Sequence, residues 1–355
     1  MQELIHEYGS EFDWESNSGY INDNLKQTFF QDAEYFRSGR DALKAIALKY
    51  KGQYKRVLLP ALCCKSMVRP FEMNGYDISY YKLNQDISAD FEDILSKMQS
   101  NVIFLYINYF GALSLSDEKL NLIQKRFENS IIVEDRTHDI LTHRINKFTP
   151  NYIVFSIRKW IAIPDGGILY SSSELSGFPK EKDTYFGDIR IRALKNKSEY
   201  LKSGNIQIKT LFRNKLAEAN CYLDTNDIVA DILQESYELL QHIDFKKIAQ
   251  QRRENAQVLS QLLKNIGGVK SITSDVERSF FYYPILIENR DAIQLALAEK
   301  NIYCPIIWPM PKRAVGLCKV SDYISEHMLA LPCDQRYKTS DMRHIVGILK
   351  RILGE

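Results

Sequence analysis

The sequence predicts an α/β fold, with a largely parallel sheet in the first part of the chain and a smaller α+β unit from about residue 236. Three observations predict it. Between residues 38 and 172, short apolar runs alternate with amphipathic stretches of helical period. That alternation is what a parallel sheet covered by helices requires. The chain has 355 residues, more than one small core usually holds. Beyond residue 236, long helical patterns dominate and strand signals become sparse.

Residues 1–25 are polar with scattered aromatics and read as an arm. Ser38 is placed to cap a helix over 38–52, where Ala42, Leu43, Ile46 and Ala47 form an apolar stripe. "RVLLPAL" (56–62) reads as a buried strand stopped near Pro60, and "KSMVRPFEMNGY" as a helix ended by Asn74-Gly75. A strand over 77–83, a helix over 91–98 and a strand over 101–108 follow. The helix over 117–129 starts with Asp117 and Glu118, where the helix dipole favours acids. Strands are expected within 130–139, 151–156 and 166–172. Residues 176–224 are charged, show no clear periodicity and read as a partner-facing excursion. A long helix is expected over 227–266, bent or broken near 242–244. Strands over 279–287 and 302–308, a helix over 290–301 and a last helix over 339–353, capped by Thr339 or Ser340, complete the pattern.

Composition narrows the function. The 47 basic and 45 acidic side chains leave a net charge of +2, so nothing favours nucleic acid or an anionic membrane as partner. No secretory signal is visible at the N-terminus, and no apolar run approaches the roughly 18 residues that span a bilayer. A cytoplasmic location is expected. The six cysteines form no C-x-x-C pair and the six histidines no ligand-spaced pair, so reduced thiols and no metal site are expected.

Three strand or helix ends carry unusual chemistry. Glu134 and Asp135 end an apolar run, with His138 three residues on. An acid at a buried strand end is costly unless paired, although a helix cap or a surface ion pair would also explain Asp135 alone. Lys159 follows Ser156 at the end of another apolar run. Burial would lower its pKa and make the amine nucleophilic, whereas a solvated loop lysine is the bland alternative. "SGRDAL", from Ser38, leaves backbone N–H groups free at a helix start, suited to a phosphate or to nothing beyond capping. An amine, a carboxylate and an anion-binding helix start together match the needs of pyridoxal 5'-phosphate.

On these residues the chain resembles the DegT/DnrJ/EryC1 sugar aminotransferases, a group of fold-type I pyridoxal-phosphate enzymes. The resemblance runs from about residue 36 to 353. "SGRDAL" is similar to the family's phosphate-binding stretch, "IIVEDRTHD" to its strand ending in Glu-Asp-x-x-Gln/His, and "FSIRKWIAIPDGGILY" to its lysine segment. The ordered set Asp135, His138, Ser156, Lys159 and Asp165-Gly166-Gly167 is the most specific part. The resemblance implies a large cofactor domain over 1–235 with a mostly parallel seven-stranded sheet, a small domain over 236–355, and a homodimer. It implies Lys159 as the amine that bonds the cofactor and shuttles the proton. Asp135 would meet the pyridine nitrogen, and His138 would lie beside the ring. Ser156, Ser38, Gly39 and Arg40 would surround the phosphate, and Cys64 would take the position of an aromatic that covers the ring.

The chain departs from the family pattern in several places. The Ser156-to-Lys159 gap is short, Cys63-Cys64 stands where an aromatic is usual, and Arg40 replaces a small hydroxyl residue. Asn108 replaces a histidine, and a Gly-Tyr-Asn-x-Arg-Met segment is not recognisable in 185–220. The reaction the resemblance implies is transfer of an amino group from glutamate to a nucleotide-linked keto-sugar, in amino-sugar, surface-polysaccharide or secondary-metabolite biosynthesis. Another pyridoxal-phosphate reaction, such as a lyase or dehydratase step, and a non-catalytic binding protein of the same fold stay open. The missing glycine-rich dinucleotide motif argues against a Rossmann enzyme.

Overall fold

The computed structural model describes residues 5–25, 32–141, 148–171, 178–272 and 280–355. Strands β1 (Tyr8–Gly9) and β2 (Glu34–Phe36) precede helix α1 (Gly39–Lys49). The alternation expected from the sequence follows: β3 (Arg56–Pro60), α2 (Lys65–Glu72), β4 (Asp77–Tyr81), α3 (Phe91–Lys97), β5 (Val102–Ile107), α4 (Asp117–Arg126), β6 (Ile131–Asp135), β7 (Tyr152–Phe155) and β8 (Gly167–Ser171). These strands and β2 form one seven-stranded sheet in the order β2-β8-β7-β6-β5-β3-β4. Only β8 runs against the others, since it pairs antiparallel with both β7 and β2. Every residue of β5 and β6 is buried, as a central parallel strand covered on both faces demands.

The second part of the chain contains α5 (Tyr185–Ser203), α6 (Ile206–Thr225), α7 (Gln234–Gln241), α8 (Phe245–Leu263), β9 (Val269–Ser271), β10 (Tyr283–Ile287), α9 (Arg290–Ala298), β11 (Ile302–Tyr303), α10 (Lys319–His327), β12 (Met328–Leu331) and α11 (Thr339–Leu353). Strands β12, β10 and β9 form an antiparallel sheet in that order. The arm strand β1 pairs in parallel with β11, so the two ends of the chain are tied together. One hydrophobic core runs from Val57 and Phe104 of the large sheet to Ile285 and Leu349 beyond it. Among the described residues, no helix is long and apolar enough to cross a membrane.

Several elements differ from the sequence expectation. Residues 185–225 fold into the helical pair α5 and α6, joined at Gly204, whose φ is +68°. The buried face of α5 carries Arg190, Lys197 and Ser198 beside Phe186 and Leu194, which hides the apolar period. The expected break near 242–244 separates α7 from α8, but helix begins at Gln234 and not at 227. The cap of α11 is neither Thr339 nor Ser340. The Asp341 carboxylate accepts instead from the Lys338 N–H at 2.7 Å. The strand expected over 302–308 is reduced to Ile302–Tyr303. Ser172 and Ser279, at the edges of two expected strands, lie outside the described residues.

Candidate active site

The carboxyl ends of β6 and β7 lie side by side, with Asp135 in register with Val154. Asp135 closes β6, Ser156 follows β7, and a single turn over Ile157–Lys159 swings the chain away from the sheet. The N-terminus of α1 faces them. Ser38, Gly39, Arg40, Cys64, Asp135, Ser156 and Lys159, together with Thr137 and Arg158, line one narrow cavity. Seven of the eight residues singled out from the sequence therefore converge, from four separate segments.

Local geometry explains why α1 can sit so close. A Cβ at Gly167 would fall 2.1 Å from both the carbonyl carbon and the oxygen of Ser38, so only glycine lets β8 start against the helix. Gly166 donates its N–H to Arg37 O at 2.8 Å, and its φ of +137° suits glycine alone. Ser38 caps α1, its Oγ accepting from the Asp41 N–H and donating to the Asp41 carboxylate at 2.8 Å. Asp41 is held in turn by buried Arg37, through two bonds of 3.0 and 2.8 Å. The first backbone N–H groups of the helix are thus fixed in direction before any anion arrives.

Burial dominates the electrostatics. It pulls the Lys159 ammonium below its ordinary range, and the neighbouring Arg158 guanidinium adds to that shift. Burial likewise raises the Asp135 carboxyl, against the pull of the Thr137 N–H, which donates to its Oδ1 at 2.7 Å, and of Lys159. Asp165, fully buried, is raised to about 7 by burial, although the Leu233 N–H donates to it at 2.9 Å.

His138 does not line the narrow cavity. Its ring packs among Phe110, Phe281 and Trp308, with centroid separations of 5.0, 4.9 and 4.9 Å. Both ring nitrogens are buried without a hydrogen-bond partner among the described residues, and burial holds the imidazole neutral. Asn108 takes a structural place, joining Glu134 of β6 to the Ser114 N–H. Arg40 is half-buried and donates to Leu223 O and Asp224 at 2.6 Å, linking the start of α1 to the end of α6. No aromatic lines the narrow cavity among the described residues; Leu43, Cys64, Met67, Val154 and Leu223 supply its less polar wall.

Lys159 and Arg158 also line a second, larger cavity of about 440 Å³. Its other walls include the arm (Ser10, Glu11, Phe12), Arg252, Phe281, the Asp334–Arg336 pair, and residues of α9 and the Tyr303–Pro305 segment. Sequence reading missed Thr137 and Arg158 as lining residues. Thr137 was legible, lying between Asp135 and His138. Arg158 was not, because a charge beside another charge looks like a solvated loop.

The residues present fit pyridoxal phosphate. Asp135 and Lys159 occupy the ends of adjacent strands. Gly39 and Gly167 keep the helix start clear of β-carbons, and the Arg40 Nε is buried without a partner among the described residues. When bound, pyridoxal phosphate would supply an aldehyde for an amine and a ring that withdraws electrons.

The chain is similar to known proteins in part of its sequence and in its fold. Residues 210–350 match the model of the DegT/DnrJ/EryC1/StrS aminotransferase family. No curated protein matches the sequence. Solved structures share the fold across nearly the whole chain. The Streptococcus pneumoniae protein Spr1654, in its pyridoxal-phosphate form, is 12% identical with a TM-score of 0.67, covering 99% of this chain and 98% of its own. Helicobacter pylori PseC, an aminotransferase of pseudoaminic acid biosynthesis, is 14% identical with a TM-score of 0.65 and covers 99% of each chain. A DegT DnrJ EryC1 StrS aminotransferase from Brucella abortus is 17% identical with a TM-score of 0.63, covering 95% of this chain and 92% of its own. The mostly parallel seven-stranded sheet is that of fold-type I pyridoxal-phosphate enzymes.

Proposed function

We propose that this chain is a pyridoxal-phosphate-dependent aminotransferase of the DegT/DnrJ/EryC1/StrS family, which its residues 210–350 match, and that it moves an amino group from glutamate to a nucleotide-linked keto-sugar. The observation that carries the reading is the meeting of Lys159, Asp135 and the start of α1 around one cavity. The product would serve amino-sugar, surface-polysaccharide or secondary-metabolite biosynthesis. We take residues 1–235 as the cofactor domain and 236–355 as the small domain of a cytoplasmic homodimer.

Each residue has a definable task. Lys159 presents an amine whose pKa is lowered by burial, which favours its unprotonated form, so Nζ can attack a carbonyl and afterwards carry a proton. Asp135 fixes negative charge at the end of β6, where a ring nitrogen can keep its proton. The Thr137 N–H orients that carboxylate through Oδ1. The N–H groups at the start of α1 and the Ser156 hydroxyl hold the phosphate. The aromatic packing around His138 keeps water from that side of the site.

Purified protein is expected to take up pyridoxal phosphate and turn yellow, and borohydride is expected to fix the cofactor to the peptide carrying Lys159. Nitrogen from labelled glutamate should appear in a sugar product. A colourless protein that takes up no cofactor would sink the reading.

A further inference from the structure

Arg158 precedes Lys159 in the turn after β7 and lines both the narrow and the larger cavity. Its Nε is sealed from solvent without a hydrogen-bond partner, and among the described residues no carboxylate pairs with its guanidinium. Its face lies 5.7 Å from the Phe186 ring, which offers only a weak substitute for an anion. Asp165 attracts it but makes no ion pair with it among the described residues, and the other acids nearby are engaged elsewhere. Glu11 binds Arg190 at 3.2 Å, Asp334 binds Arg336 at 2.8 Å, and Asp224 binds Arg40 at 2.6 Å. Arg252, the other buried guanidinium of the larger cavity, is satisfied by the carbonyls of Phe280, Phe281 and Trp160 and by Gln335. Burial and the repulsion of Arg190 push Arg158 down to about 10, which still leaves it charged. The guanidinium is partly open to the cavities, while its Nε has lost water and, among the described residues, regained no acceptor.

The anion it would accept is set by its neighbour. Arg158 and Lys159 stand side by side in the wall of a cavity of about 440 Å³, a volume suited to a small metabolite. A molecule whose reacting carbon meets Nζ of Lys159 would bring a charge to Arg158 only if that charge were bonded close to the reacting carbon. An amino acid has its α-carboxylate one bond away from that carbon; a keto-sugar has no charge there. We propose that Arg158 binds the α-carboxylate of the amino donor in the larger cavity, beside the amine of Lys159. This assignment rests on the aminotransferase reading. It makes Arg158 selective for the donor over the sugar.

The test is a calorimetric titration of the cofactor-loaded protein with 2-oxoglutarate, the keto acid of the proposed donor. Pyridoxal-phosphate uptake is followed by absorbance alongside. Arg158→Gln is expected to weaken 2-oxoglutarate binding about tenfold or more, the size of a lost charge-assisted pair, with cofactor affinity unchanged within about threefold. Arg158→Lys should recover part of the loss. On wild type, 4-aminobutyrate, which is glutamate without its α-carboxylate, should bind about tenfold more weakly than glutamate. That comparison stands even where the glutamine variant fails to fold. Unchanged 2-oxoglutarate binding with weakened cofactor uptake would assign the guanidinium to the phosphate and overturn the proposal. Equal binding of the two amines, or no change in either titration, would overturn it as well. A wild type that takes up no cofactor would end the aminotransferase reading. The same titrations on the protein as purified would still decide whether Arg158 holds a carboxylate.

Discussion

At the scale of single residues, Asp135 and Lys159 work as a pair because two adjacent strands end together. Replacing Asp135 by asparagine keeps an acceptor for the Thr137 N–H but removes the charge. Turnover is expected to fall about 100-fold or more in steady-state assays. Thermal stability at neutral pH should not fall, because burial already disfavours the charged form. Lys159→Ala should abolish borohydride fixation altogether. Asp165 gives a pH test. Burial raises its carboxyl from the ordinary 3.8 to about 7, so the folded state binds more protons than the unfolded chain between those values. Its ionisation therefore removes stability as pH rises through that window. Asp165→Asn should melt with wild type near pH 4, and above it near pH 8 by roughly 2 °C per kcal/mol recovered.

Legibility at this scale followed position in the chain. Asp135, Ser156 and Lys159 could be found because each ends an apolar run, and Ser38 because it opens a helix pattern. Arg158 could not, since whether a cation is buried depends on Arg190 and Phe186 of α5, which arrive from a distant segment. The placement of His138 depended likewise on Phe281 and Trp308.

Among elements, the contact between α1 and β8 is the tightest constraint near the site. Gly167→Ala places a methyl group against the Ser38 carbonyl and must push strand and helix apart. Melting and cofactor titration should show a stability loss of about 1–3 kcal/mol together with weaker cofactor retention. The alternating strands and helices over 38–172 were readable because their faces are apolar throughout. The helices α5 and α6 were not, because α5 buries Arg190 and Lys197 against the arm through Glu11 and Ser10. A buried face built of ion pairs has no apolar period to read.

For the whole molecule, the arm acts as a strap. Arg336 donates to the carbonyls of Gly9, Ser10 and Glu11 while paired with Asp334, and β1 adds a strand to β11. Arg336→Met would leave Asp334 buried without its partner. A loss of about 3–5 kcal/mol is expected, with earlier cleavage of the arm in limited proteolysis. Because Ser10, Glu11 and Phe12 wall the larger cavity, release of the arm should also weaken donor binding. The strap was invisible in the sequence, where residues 1–25 show only polarity and isolated aromatics.

The packing around Trp160 has an optical consequence. The chain has three tryptophans. Trp14 is solvent-exposed, whereas Trp160 is fully buried beside Lys159 with its indole N–H bonded to Thr137 O at 2.7 Å. Trp308 packs on His138. A chromophore seated at Lys159 would drain the emission of the two inner indoles and leave Trp14 bright. Ultraviolet excitation of unlabelled protein thus provides a built-in gauge of occupancy, readable in a stopped-flow cell.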